Sequence, residues 1–157
     1  MNPSATTSPE TIATLLLCGR FGQSRDGLNV LSPSKYNHLA QWLKNHNLTF
    51  SDLLKSDANV ILRDYCDDLE NVKHLQSLLG RTDELDASLK RWVEMGIWVL
   101  GRNDGSYPQR LRQRLKLAAL PLLFGAGPRT YLNGGGVCVI GSRDSSSQGL
   151  NFAKQIG

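Results

Sequence analysis

The feature that most restricts the fold of this chain is an unbroken apolar run at residues 137–140, followed at once by Gly141, Ser142 and Arg143. A run of apolar, mostly β-branched residues is typical of a central strand in a parallel sheet that is covered on both faces. After a polar loop, the apolar residues of segment 149–156 have the spacing of an amphipathic helix. The order strand, glycine turn, helix therefore predicts an α/β fold of the doubly wound type.

The same order predicts a binding site for a phosphate or another anion. Free backbone N–H groups and the positive end of the helix dipole meet at the carboxyl edge of such a strand. We therefore predict phosphate binding by Gly141, Ser142, Arg143 and Gly149, where Arg143 adds a permanently charged, forked donor. The glycine spacing is not G-x-G-x-x-G, so it does not indicate a dinucleotide cofactor. The alternative interpretation is an ordinary strand-to-helix turn with a surface arginine.

Charge is divided unevenly along the sequence. Residues 1–100 hold ten basic and twelve acidic residues, a net charge of −2, whereas residues 101–157 hold eight basic and two acidic residues, a net charge of +6. Ten of the fifteen glycines also lie in residues 101–157. A basic, glycine-rich segment suits close approach to phosphates, so the composition favours a nucleic-acid partner for this half of the chain.

The pattern of residues 1–95 predicts a domain made of short helices. Ser8 and Ser32 are N-cap residues that each precede a proline at the first helical position, and apolar residues follow at helical spacing. Thr82 is expected to cap a later helix, which ends at Gly96. We expect the core of this domain to include Leu15, Leu39, Leu43, Leu75, Leu89 and Trp92.

Beyond residue 96 the apolar pattern becomes that of short strands. Strands are expected near residues 97–100, 121–124 and 137–141, with Pro108 in the first turn of a helix between the first two. The sequence thus predicts a helical domain over residues 1–95 and the incomplete beginning of a Rossmann-like domain over residues 96–157. Because the last helix has little more than a turn or two, we expect these 157 residues to be the front of a longer protein.

The other chemistry-bearing residues do not form a site at sequence level. His38, His46 and His74 lie in separate predicted helices without a carboxylate or cysteine at ligand spacing, and the acidic run at residues 64–70 lacks the pattern of a calcium loop. The three cysteines are too widely spaced for a disulfide framework or a zinc pair, which favours buried free thiols in a reducing cytoplasm. We expect no metal and no cofactor. No apolar run approaches the ~20 residues of a membrane span.

Residues 92–157 resemble one known family in the order and spacing of their motifs. In that family an aspartate, a Tyr-Pro pair and a proline-led strand ending in glycine precede an apolar strand, a Gly-Ser-Arg turn and a helix. The matching residues outside segment 137–143 are Gly96, Ile97, Leu100, Asp104, Tyr107, Pro108, Leu111, Pro121, Leu122, Leu123, Phe124, Gly125, Gly127, Gly149 and Ala153. The chain is similar in these positions to the DNA-processing protein A family, also called Smf.

The resemblance implies a bacterial cytoplasmic protein with an extended Rossmann-like domain that binds single-stranded DNA. Such a protein protects incoming DNA during natural transformation (competence), assists loading of the RecA recombinase in DNA recombination, and is not an enzyme. The family's Gly-Ser-Arg turn lines a basic pocket for the nucleic-acid backbone, and Gly141, Ser142 and Arg143 match it here. The family's dimer and RecA surfaces lie in regions that correspond to positions beyond residue 157, so a homodimer is expected through them.

Two other interpretations stay open. The LOG-type nucleotide phosphoribohydrolases, which cleave nucleoside monophosphates, begin with a similar strand, glycine-serine turn and helix. They lack the preceding segment from Tyr107 to Gly127, which argues against them. The third interpretation is a helical interaction module without a ligand of its own.

Overall fold

The chain is a mixture of helix and strand in the computed structural model, which describes residues 7–22, 29–135 and 144–156. The helices are α1 Pro9–Cys18, α2 Pro33–Asn45, α3 Ala58–Tyr65, α4 Leu69–Leu79, α5 Thr82–Glu94, α6 Gln109–Leu115 and α7 Ser147–Ile156. The strands are β1 Ile97–Gly101 and β2 Leu122–Ala126, and 3-10 turns span Phe50–Leu54, Lys116–Ala118 and Arg129–Asn133. Helices are the only regular elements in the described residues before position 97, as predicted. The strand predicted near residues 137–141 lies outside the described residues.

The helix starts predicted at Ser8 and Ser32 are confirmed. The Ser8 hydroxyl accepts a hydrogen bond from the N–H of Thr11 at 3.2 Å, and the Ser32 hydroxyl accepts one from the N–H of Lys35 at 3.3 Å. Each serine precedes a proline whose missing N–H costs nothing at the first helical position. These starts depend only on neighbouring residues, which is why the sequence predicts them.

The start of α5 differs from the prediction. Thr82 is the first residue of the helix and not its cap; the residue before it, Arg81, makes no side-chain capping bond. The guanidinium of Arg81 donates instead to the carbonyl oxygens of Leu16 and Gly19 at the end of α1. This long-range contact holds the residue before α5 against the end of α1. The end of α5 is as predicted, since Gly96 has the left-handed φ of 69° that a glycine after a helix accommodates.

The main core lies between α1, α2, α3, α4 and the turn Phe50–Leu54. Tyr36 is fully buried, and its ring stacks on that of Phe50 with centroids 4.7 Å apart. Of the predicted core residues, Leu15, Leu39, Leu43 and Leu75 are buried, whereas Leu89 and Trp92 are partly buried and pack against a second cluster. That second cluster is formed by Leu15, Leu16, Phe21 and Leu85 and also contacts Val99 of β1 and Leu122 of β2.

The two strands form an antiparallel pair that packs on α1 and α5. The register places Val99 opposite Phe124 and Trp98 opposite Gly125. The Trp98 ring lies so close to Gly125 that a side chain at that position would collide with it, and the indole N–H donates to the carbonyl of Gly127 at 2.9 Å. A glycine is therefore required at position 125 by packing.

The last helix, α7, carries apolar residues that the described part of the chain leaves uncovered. Leu150 is 52% exposed and Phe152 is 63% exposed. Ala153, which is half-buried, is the least exposed residue among those of α7 with described side chains. Within the described residues, no helix is long and apolar enough to cross a membrane.

Candidate nucleic-acid interface

The predicted phosphate turn is only partly within the described residues. Gly141, Ser142 and Arg143 lie outside them, and Gly149 is the third residue of α7. The N–H of Gly149 donates to the hydroxyl of Ser146 at 3.2 Å, so a serine just before the helix satisfies this amide. Phosphate binding by Gly141, Ser142, Arg143 and Gly149 stays a prediction.

Asp104, the acidic residue of the family-like segment, is turned into the fold. Its carboxylate accepts hydrogen bonds from the hydroxyls of Ser8 at 2.6 Å and Thr11 at 2.7 Å and from the N–H of Gly101 at 2.8 Å. A side chain at Gly101 would collide with Thr11, so the strand end approaches α1 closely. Asp104 thus joins the end of β1 to the first turn of α1, and its negative charge is satisfied inside the protein.

Tyr107 and Pro108, the pair that carries much of the family resemblance, also have structural roles. Tyr107 is only 2% exposed, and its hydroxyl donates to the carbonyl of Leu120 at 3.1 Å. Burial raises the pKa of Tyr107, against the opposing effect of the arginines at positions 102 and 112. Pro108 is buried and directly precedes α6. The pair therefore anchors α6 to the strand pair and presents no reactive group to solvent.

The solvent side of α6 is cationic. Arg110 and Arg114 are exposed, as is Lys116 directly after the helix. No carboxylate of the described residues forms an ion pair with any of the three. Since Asp104 faces the interior, this surface keeps its positive charge.

A groove of about 500 Å³ lies between α2 and the segment formed by α6 and the turn Lys116–Ala118. Four cationic side chains line it, which are Lys44, Arg102, Arg112 and Lys116. Of the lining residues that the structure describes, Glu10 alone carries a carboxylate, and it accepts hydrogen bonds from the N–H of Ser51 at 2.9 Å and from the Asn103 amide at 3.3 Å. The groove therefore combines a positive lining with an acid that is already hydrogen-bonded.

Two of those four cations also hold the walls of the groove together. The Arg102 guanidinium donates to the Asn37 side chain at 2.8 Å and to the carbonyl of Ala119 at 3.1 Å, and it lies 4.8 Å from the Tyr36 ring centre. Arg112 donates to the backbone carbonyl of Asp104 at 2.6 Å. The Arg102 bond to Asn37 fixes α2 against the segment after β1, whereas the Arg112 bond holds α6 to the turn within that segment. Lys44 and Lys116 have no comparable wall contacts among the described residues.

Sequence reasoning missed the groove because its cations come from distant parts of the chain. Long-range contacts bring these parts together. The Asn37 amide, for example, donates to the Leu117 carbonyl at 2.7 Å, although the two residues are 80 positions apart in sequence. The backbone of Lys116, with a φ of 49° and a ψ of −117°, suits glycine far better than lysine, and the sequence does not reveal this conformation. Non-glycine residues held in such conformations occur often at functional sites.

A second, smaller groove of about 220 Å³ brings two of the histidines together. His38 and His74 line it with Cys66 and Asp67, and the His38 ring nitrogen lies 3.1 Å from the Tyr65 hydroxyl. Despite this proximity, the described residues contain no group of three or more His, Cys, Asp or Glu side chains placed to hold a metal ion.

In the acidic run, Asp68 caps α4 by accepting from the N–H of Asn71 at 2.7 Å.

The two described cysteines are free thiols and only partly buried. Burial raises the pKa of Cys18 from 9.0 to about 12, although Arg102 and Arg81 act in the opposite direction. Burial also raises the pKa of Cys66, and Asp68 and Asp67 add to the effect. Because the thiolate is the reactive form, neither cysteine has the environment of a nucleophile. Cys138 lies outside the described residues.

Comparison of the chain with protein-family models, with curated proteins and with solved structures found no match. The resemblance of residues 92–157 to the DNA-processing protein A family therefore stays a prediction.

Proposed function

We propose that this chain binds single-stranded DNA through its basic second half. The observation that carries the proposal is the cationic surface of α6, where Arg110 and Arg114 are exposed while Asp104 is turned inward. Contacts between such cations and phosphates supply most of the affinity of non-specific nucleic-acid binding. The net charge of +6 over residues 101–157 acts in the same direction.

The preference for a single strand and the cellular role follow from the resemblance to the DNA-processing protein A family. In this proposal Arg143 contacts a phosphate, and the backbone of Gly141 and Ser142 closes on the same anion, next to the helix that contains Gly149. The protein protects incoming DNA in natural transformation, cooperates with RecA, acts as a homodimer and catalyses no reaction.

Arg143→Ala is expected to weaken binding of all single-stranded sequences about equally, because a phosphate contact carries no base information. It should also reduce the slope of log affinity against log salt by about 0.7, the value per phosphate of a single strand. The measurement is fluorescence anisotropy with labelled oligo-dT and oligo-dA at several salt concentrations.

Ser142→Ala serves as the matched variant in the same turn. It keeps the backbone N–H and should cost less affinity than Arg143→Ala. Unchanged affinity and slope for Arg143→Ala, together with binding of a nucleoside monophosphate, would favour the phosphoribohydrolase interpretation over DNA binding.

A further inference from the structure

We infer that the groove between α2 and α6 is a second contact region for the phosphodiester backbone, lined by Lys44, Arg102, Arg112 and Lys116. This inference rests on the proposed function and extends it to a surface formed by described residues of α2, of α6 and of the segment after β1. It assigns to α2, in the helical half of the chain, a direct part in holding the nucleic acid.

The charge of the groove favours an anionic ligand. Glu10, the one carboxylate among the described lining residues, already accepts two hydrogen bonds from within the protein, and the nearby Asp104 accepts three. Lys44 and Lys116 are exposed, and neither forms an ion pair with a described carboxylate. An incoming phosphate therefore meets, at the rim of the groove, two ammonium groups that no described carboxylate pairs with, beside two arginines that hydrogen bonds hold in place.

The groove is large and partly apolar, which suits a nucleotide chain better than a small inorganic anion. A volume of about 500 Å³ is in the range of ligand-sized sites. Leu48 and Leu117 contribute apolar surface to it, and Leu117 is 68% exposed. Sugars can lie against such surface while phosphates contact the cationic rim, and a positively charged groove that follows the backbone is one part of sequence-tolerant single-strand binding.

Lys116 provides an independent indication. Its backbone is held in a conformation that is unfavourable for any residue with a side chain, immediately after α6. Two hydrogen bonds hold the residues that follow Lys116. Arg102 donates to the carbonyl of Ala119, and the Asn37 amide donates to the carbonyl of Leu117. The fold thus holds this lysine in a fixed place on the rim at some cost in backbone strain.

The test compares two double variants of equal charge change. Lys44→Gln with Lys116→Gln removes the two rim cations and leaves the structural arginines intact. Lys73→Gln with Lys90→Gln removes two exposed lysines of α4 and α5 that do not line the groove. Binding of labelled oligo-dT to the full chain is measured by anisotropy from low to moderate salt. Thermal unfolding of each variant checks the fold.

We expect the groove variant to bind oligo-dT about tenfold more weakly at low salt and to lose about 1.4 from the salt slope, which corresponds to two phosphates. The control variant should stay within about twofold of the unmodified chain. Equal behaviour of the two variants, while the unmodified chain binds and Arg143→Ala weakens it, would overturn the groove and leave the proposed function standing. Failure of the unmodified chain to bind oligo-dT would overturn both. Competition by poly-glutamate as strong as by oligo-dT would overturn the groove as a nucleic-acid site and indicate an acidic protein segment.

Discussion

Asp104→Ala is expected to lower the free energy of unfolding by about 3 kcal/mol, because it removes a carboxylate that accepts three hydrogen bonds from α1 and β1. The Ser8 and Thr11 hydroxyls and the Gly101 N–H would lose a charged acceptor at a closely packed junction. For a chain of this length such a loss lowers the melting temperature by about 9 °C. Urea unfolding followed by circular dichroism measures the effect.

Asp104→Asn is the matched control, since it keeps the size of the side chain and one carbonyl oxygen. The free energy of unfolding of this variant should lie between those of the unmodified chain and Asp104→Ala. A change below about 0.5 kcal/mol for Asp104→Ala would mean that the junction between α1 and β1 does not depend on this carboxylate.

The largest expected effect of a single substitution in the core is that of Tyr36→Ala, about 4 kcal/mol. The Tyr36 ring is fully buried, stacks on Phe50 at 4.7 Å with ring planes only 2° apart, and has the Arg102 guanidinium 4.8 Å from its centre. Its loss would leave a cavity and remove one support of Arg102. Chemical denaturation of the purified chain gives the free energy directly.

Tyr36→Phe keeps the stacked ring and removes only the hydroxyl, which is buried without a hydrogen-bond partner in the described part of the chain, so it should leave the free energy of unfolding unchanged or slightly raised. If the alanine and phenylalanine variants were equally stable, the stacking of Tyr36 on Phe50 would not contribute to the stability of the core.

The parts of the fold that depend on neighbouring residues could be predicted from the sequence. Ser8 and Ser32 begin their helices with a side-chain cap and a proline, and Gly96 ends α5 with a left-handed backbone. α5 begins one residue earlier than predicted, at Thr82, and the contact of Arg81 with carbonyls of α1 far away in sequence could not be predicted. The antiparallel pairing of β1 with β2 likewise depends on which surfaces pack together, so the apolar runs alone predicted the strands and not their direction.

The candidate site also combines features that the sequence predicts with features that depend on the packing of distant elements. The basic character of residues 101–157 is a matter of composition and is visible in the sequence. Two other features depend on the packing of α1 and α2 against the segment after β1. The carboxylate of Asp104 faces the interior, and Lys44 and Lys116 line the same groove. Asp104, Tyr107 and Pro108 are among the positions that match the family, and in the fold these residues hold elements together instead of forming a pocket.

The most direct test of nucleic-acid binding is the salt dependence of oligo-dT binding by the unmodified chain, with a nucleoside monophosphate as competitor. With contacts at Arg110, Arg114, Arg143, Lys44 and Lys116, log affinity should fall linearly with log salt at a slope of about 3.5, about 0.7 for each of five phosphates. The monophosphate, with one phosphate to offer, should compete only weakly. Salt-independent binding of oligo-dT, or tighter binding of the monophosphate than of the oligonucleotide, would contradict the account.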